Sequence, residues 1–335
     1  MQQDPHESHN RVERFSKSND DEAFFASLNR VLSNADLPSS TGPSLDVGAL
    51  PIIYIIGAPR SGTTLLSQLL SRYLPVGYID NIIARFWLRP QVGIRLSRAL
   101  LGQAGRESIA FDSKHGVTQD ISGPHEFGYF WRHWLALDGV ETHKLGQSAL
   151  DALDLQGLQQ TLEGELLAEF ASPLVFKNVI CGFQAAALTQ AHPASLFVRI
   201  QRDAEDVTRS ILKCRMERYG RYDAWWSLKP STYPSLAKLD SPVQQVASQV
   251  IDCTREFEQE LSKPGVRSLT IEYSDLVHNP TGILEKVCEA LKAFNCQILP
   301  LPMPTNVFRQ PEKIRLPELL EAELAASSIL HEFYN

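Results

Sequence analysis

The sequence predicts an α/β protein, a three-layer fold with a central, mainly parallel sheet and helical insertions. Three observations lead there. Beyond Pro51, short apolar runs rich in β-branched residues are each followed by a helical period, the pattern of βαβ units. A loop with two glycines, GAPRSGTT at 57–64, lies between the first such run and the first such period, the setting of a phosphate-binding loop (P-loop). The 335 residues, 43% hydrophobic and 21% charged, supply a sizeable core and exclude a disordered chain, a rod or a small stapled scaffold.

The elements follow in order. Residues 1–48 are rich in Asp, Ser, Asn and His and read as a mobile polar arm. The arm carries one short amphipathic helix (Ala23, Phe24, Leu28, Val31, Leu32) before the loop SNADLPSSTGPS. Residues 49–335 read as the P-loop domain. Its first strand, IIYII at 52–56, precedes the helical TLLSQLLSRYL, and residues 78–170 read as a mostly helical insertion. PLVF at 173–176 then leads into FQAAALTQAH, SLFVRI at 195–200 into EDVTRSILKCRM, and RSLTIEY at 267–273 into ILEKVCEALKAF. Residues 219–242 form an aromatic, proline-bearing insertion, whose Tyr219, Tyr222, Trp225, Trp226 and Tyr233 read either as a packed lid or as rings that stack on an acceptor.

Composition narrows the function. A net charge of −7 argues against nucleic acid or anionic lipid as a partner, so any bound anion must be held by a local pocket. No apolar run approaches the roughly 18 residues of a membrane span; the longest, Pro51–Ala58, is strand-sized. The polar start MQQDPHESHNRVER suits neither a secretory nor a transit segment, so a cytoplasmic location is expected. Cys181, Cys214, Cys253, Cys288 and Cys296 are odd in number and lack Cys-x-x-Cys spacing, which disfavours disulfides and structural zinc.

The chemistry is expected at four places. In GAPRSGTT, Gly57 and Gly62 let the backbone turn, and the N–H groups of Ser61, Gly62, Thr63 and Thr64 at a helix start form an anion cradle. The spacing is that of a Walker A loop, but Thr63 stands at the lysine position and Arg60 supplies the cation. In QRDAEDVTRS at 201–210, Arg202 ends a strand and Ser210 lies about two helical turns on, so both can face one anion. Alternatively Arg202 pairs with Asp203 or Asp206 and Ser210 faces solvent. Lys177 ends the strand PLVF and Tyr273 ends RSLTIEY. With the loop and Arg202, they fall at carboxyl ends of strands, where open α/β sheets bind ligands. For a base, Glu126 and His125 precede a helix whose Phe127, Phe130, Trp131 and Trp134 read as core, and Asp80 lies in GYIDN. Each also has a bland reading: a first-turn acid for Glu126, a turn residue for His125.

PRSGTT followed by an RDxxDVxxS block resembles the sulfotransferase family. The likeness extends through FKNVICGFQAAALTQAHPASLFVRIQRD and LTIEYSDLVHNP, about residues 51–295. It implies that Arg60, Ser61, Gly62, Thr63 and Thr64 bind the 5′-phosphosulfate of 3′-phosphoadenosine-5′-phosphosulfate (PAPS), that Arg202 and Ser210 bind its 3′-phosphate, and that Lys177 assists transfer. Val179 stands where cytosolic relatives carry their catalytic His, Arg60 where they usually carry Lys, and Ser274 where a Glu usually follows the Tyr. Arg60 points to the bacterial and Golgi-like branch, in which the base is a Glu about twenty residues past the loop; here that stretch offers Asp80 and Asn81. The implied activity is sulfuryl transfer without a metal to a hydroxyl on a small molecule or glycan, carbohydrate-bearing acceptors being favoured by the branch. A sulfuryl group carries less charge than a phosphoryl group, and no acidic cluster of the Walker B kind follows a strand. The alternatives are a P-loop kinase-like phosphoryl transferase and a non-catalytic nucleotide-binding module.

Overall fold

The computed structural model describes residues 18–36, 46–102, 104–113, 116, 118, 120–304, 308 and 314–327. The polar start 1–17 and residues 37–44 of the first loop lie outside them. Five strands form one sheet: β1 (Ile52–Gly57), β2 (Gly77–Tyr78), β3 (Leu174–Lys177), β4 (Ser195–Gln201) and β5 (Arg267–Glu272). Their order is β2-β3-β1-β4-β5, and every pairing is parallel. The long helices are α1 (Asn19–Ser33), α2 (Thr63–Tyr73), α3 (Pro90–Leu101), α4 (Gly128–Trp134), α5 (Ala185–Ala191), α6 (Ala204–Tyr219), α7 (Pro242–Leu261), α8 (Tyr273–His278), α9 (Pro280–Leu291) and α10 (Glu318–Ala325).

All six residues of β1 are buried, because a parallel sheet is covered on both faces and its central strand reads as a continuous apolar run. Alternation then divides the core. Ile52, Tyr54 and Ile56 face the helical insertion with Phe176, Phe197 and Trp131. Ile53 and Ile55 face α2 and α9 with Val175 and Val198. On the first face the Tyr54 ring stacks on Phe197 at 4.9 Å between centroids, and Trp131 meets it edge-on at 5.7 Å. Such aromatic pairs add about 0.5–1.5 kcal/mol each beyond the area they bury.

Two segments differ from the sequence reading, and a third takes one of the two alternatives left open there. The strand β2, not read from the sequence, lies at the start of the stretch read as mostly helical; it pairs Gly77 with Leu174 and Tyr78 with Val175 at the sheet edge. The helix of the N-terminal arm packs on the core, and only Leu28 and Leu32 of the five apolar positions named in it are half-buried. Phe24 and Val31 are 61% and 69% exposed, while Phe25 and Ala26 pack on the core. The reason is Asn29, which is fully buried: its Nδ2 donates to the carbonyls of Phe25 (2.9 Å) and Arg85 (2.7 Å), and its Oδ1 accepts from Leu88 N–H (2.9 Å). Finally, the rings of 219–233 are taken up in packing. Tyr222 and Trp226 pack against α6, α7 and α10, and the Trp225 indole donates to the Leu228 carbonyl. The buried Arg215 holds this insertion through the Tyr222 carbonyl at 3.1 Å, and desolvation pushes its guanidinium down to about 10.

Candidate active site

A parallel sheet brings the carboxyl ends of its strands to one edge, and the pairings show which residues meet there. Gly57 on β1 pairs with Ile200 on β4, Ile55 with Lys177 on β3, and Gln201 with Glu272 on β5. The loop after β1, Lys177, Arg202 and Tyr273 therefore share that edge.

The loop 57–62 leads into α2, with Gly62 in the left-handed region (φ 110°) as its N-cap. A side chain at Gly62 is excluded twice over, since a Cβ there would lie 2.5 Å from the Tyr273 ring. Ser61 is buried, and its hydroxyl has no hydrogen-bond partner among the described residues. The Ser61 N–H is spent on the Ala58 carbonyl at 3.1 Å, but an unpaired hydroxyl at a helix start is suited to an anion. Arg60 is itself left-handed (φ 71°), which turns its side chain away from the loop and toward α6, where Nε donates to Ser210 Oγ at 3.0 Å. The two segments read separately in the sequence thus meet. Arg202 lies beneath them: it donates to the Arg60 carbonyl at 3.2 Å, sits over the Tyr273 ring at 4.4 Å, and approaches Asp206 at 3.7 Å. Its Nε is buried without a partner among the described residues. Arg60, Arg202 and Ser210 form one cationic corner walled by Tyr273.

A second group lies at the end of β3. Lys177 is 5% exposed, and burying an ammonium is costly unless partners meet it. Its Nζ pairs with the Glu126 carboxylate and lies 3.4 Å from the Gly116 carbonyl, which also accepts from Thr64 Oγ1 at 3.3 Å. Thr64 ties this group to the anion loop. Glu126 keeps about half its side chain exposed (49%), so the pair is open to solvent on one side. Desolvation pushes its carboxyl up, but the adjacent Lys177 ammonium, with His125 and Arg218 behind it, outweighs this and holds it below the ordinary carboxylate value.

The other two candidate bases are arranged differently. His125 uses Nδ1 to accept from Phe127 N–H at 2.8 Å, which occupies that nitrogen in a turn. Asp80 is buried, its Oδ1 accepting from the amides of Ile82 (2.9 Å) and Ile83 (2.7 Å) and its Oδ2 from Ser97. Desolvation raises the Asp80 carboxyl above its ordinary value despite those bonds. One oxygen thus serves the turn that follows and the other holds α3 through Ser97. Thr63, the residue at the Walker lysine position, is buried in the first turn of α2. Sequence reasoning passed over Asn178, Gly116 and Arg218. Only Asn178 left a trace, as a capping residue type directly after Lys177.

The profile of the sulfotransferase family matches residues 51–293, which takes in every element of this site. The chain belongs to the sulfotransferase family. No curated protein matches its sequence. Among solved structures, this sulfotransferase is similar to sulfotransferase STF9 from Mycobacterium avium at 15% identity, with 86% of this chain and 70% of that one covered and a TM-score of 0.46. Sulfotransferase STF1 from Mycobacterium tuberculosis is similar at 16% identity, with 78% and 70% covered and a TM-score of 0.46. The sulfotransferase domain from the curacin biosynthetic pathway is similar at 16% identity, with 81% and 82% covered and a TM-score of 0.40. Likeness at this distance bears on neither substrate nor mechanism. Among the described residues of the sulfotransferase, no three His, Cys, Asp or Glu cluster closely enough to hold a metal, and no helix is long and apolar enough to cross a membrane.

Proposed function

We propose that this sulfotransferase moves a sulfuryl group from PAPS to an acceptor hydroxyl, with Glu126 as the base and Lys177 beside the leaving oxygen. The observation that carries the reading is the meeting of two built groups on one sheet edge: an anion corner of Arg60, Arg202 and Ser210, and the Lys177–Glu126 pair joined to it through Thr64. The residues fit the donor. Ser61 Oγ and Arg202 Nε are buried polar atoms still lacking partners among the described residues, and the Tyr273 ring packs closely against Gly62 of the loop. Arg202, Ser210 and Arg60 would hold the 3′-phosphate, Tyr273 would face the nucleoside, and Ser61 Oγ with the amides of 62–64 would hold the 5′-phosphosulfate.

PAPS supplies the sulfuryl group; the protein supplies positions and charge. Glu126 takes the acceptor's proton as the hydroxyl oxygen bonds to sulfur, and the electron pair of the broken S–O bond stays on the departing phosphate. Lys177 and the amides of 62–64 stabilise that developing charge. A carbohydrate-bearing acceptor, as a glycan or a small molecule, is the class favoured by the likeness to the bacterial and Golgi branch. The test is to supply radiolabelled PAPS with host extracts, identify the labelled product, and repeat with Glu126→Gln and Lys177→Ala. Each variant is expected to lose roughly 100-fold or more in turnover while still binding adenosine 3′,5′-bisphosphate. Tight binding of the bisphosphate without transfer to any acceptor would favour the non-catalytic module instead.

A further inference from the structure

Asn178 follows Lys177 directly and is 4% exposed. Its two polar atoms face different ways. Oδ1 accepts from Ile180 N–H at 3.0 Å and so caps the short helical turn Val179–Gln184. Nδ2 donates to the backbone carbonyl of Glu126 at 2.9 Å, across 52 positions of chain. The same Glu126 carries its carboxylate to Lys177. Consecutive residues at the end of β3 therefore hold Glu126 by its backbone and by its side chain.

The turn that presents Glu126 needs such holding. His125 N–H donates to the Ile79 carbonyl at 2.8 Å, His125 Nδ1 accepts from Phe127 N–H, and Phe127 is left-handed (φ 54°) though buried. A bulky residue stays in that region only where its surroundings over-determine it. On the Glu126 side of the turn, the bond from Asn178 and the ion pair with Lys177 do this.

We infer that Asn178 is a positioning residue for the transfer: its Nδ2 donor seats the Glu126 peptide so that the carboxylate stands against Lys177 and in reach of the hydroxyl to be deprotonated. The inference rests on the function proposed above, in which Glu126 is the base. A misplacement of about an ångström at such a group costs on the order of 100-fold in rate.

The two roles of Asn178 separate chemically. Asn178→Asp keeps the Oδ1 acceptor for Ile180 and removes the donor to Glu126; Asn178→Ala removes both. The full-length protein is assayed for turnover of the labelled acceptor against pH, for adenosine 3′,5′-bisphosphate affinity by calorimetry, and for melting. Both variants are expected to lose about 10- to 100-fold in kcat, with bisphosphate affinity and donor KM within about threefold of the wild type. The acid limb of kcat should also move to higher pH, because Glu126 no longer rests on Lys177. Asn178→Asp with wild-type kcat and pH profile would overturn the inference and leave only the helix cap. So would bisphosphate affinity falling in step with turnover, the mark of general damage. The underlying reading fails separately: if Glu126→Gln turns over normally, Glu126 is not the base and Asn178 has nothing to position.

Discussion

A carboxylate beside a buried ammonium is a weaker base than a free one, because the ammonium favours its charged form. Glu126 is in that position, and the sign of its pH dependence follows. Its carboxyl is held below the ordinary value, so it is ionised above that lowered pKa, and activity is lost only as the pH falls through it. The acid limb of kcat/KM is expected below the usual carboxylate range, near 4.3 for an unperturbed Glu. Lys177→Ala should move this limb upward, since desolvation then acts without the opposing charge. An unmoved limb would mean that the pair does not set the base. Asp80 invites the opposite test. Asp80→Asn keeps an Oδ1 acceptor for Ile82 and Ile83, so a residue that merely caps should retain turnover within a few-fold; a loss of about 100-fold in a folded protein would return the base to Asp80. The Lys177–Glu126 pairing was not legible in the sequence, because the partners lie 51 positions apart and a Glu before a helix has an ordinary reading as a first-turn acid. That Arg202 and Ser210 come close together, through Arg60, was legible because each stands at a defined distance from a strand end.

The helix α4 follows Glu126 directly and is anchored by rings rather than by polar contacts. Trp131 is fully buried, meets Phe176 edge-on at 4.9 Å between centroids, and meets Phe130 at 5.0 Å. Trp131→Ala should cost about 3–5 kcal/mol, read as a drop in melting temperature, because a large cavity opens beside the central strand. A loss below about 1 kcal/mol would mean that α4 is held by something else. The α1 helix gives a polar counterpart. Asn29→Ala strips partners from two backbone carbonyls and one N–H and should cost about 1–3 kcal/mol. Four of the five strands were readable as apolar runs with helical periods behind them. The fifth, β2, was not, since two residues are too few to show a period. The seating of α1 was not legible for a physical reason: an amphipathic pattern counts apolar residues, whereas here a fully satisfied Asn helps to seat the helix.

For the whole molecule, the parallel order of the sheet gathers loop, Lys177, Arg202 and Tyr273 on one edge, and in the proposed reading Arg60, Lys177 and the helix-start amides there supply the charge that neutralises the donor. Turnover with PAPS should therefore stay within about twofold in excess EDTA, since no step assigns a metal a role. Activity restored only by magnesium, alongside use of ATP, would hand the case to a phosphoryl transferase. In the proposed function the corner of Arg60, Arg202 and Ser210 is what would set a 3′-phosphonucleotide apart from 5′-AMP, so its preference is the most direct test. Calorimetry of the wild type should show adenosine 3′,5′-bisphosphate binding at least about 10-fold more tightly than 5′-AMP, with Arg202→Ala weakening the former by roughly 10- to 150-fold and leaving the latter nearly unchanged. Equal affinity of the wild type for the two nucleotides, or a preference for magnesium-bound ATP over both, would contradict the proposed site.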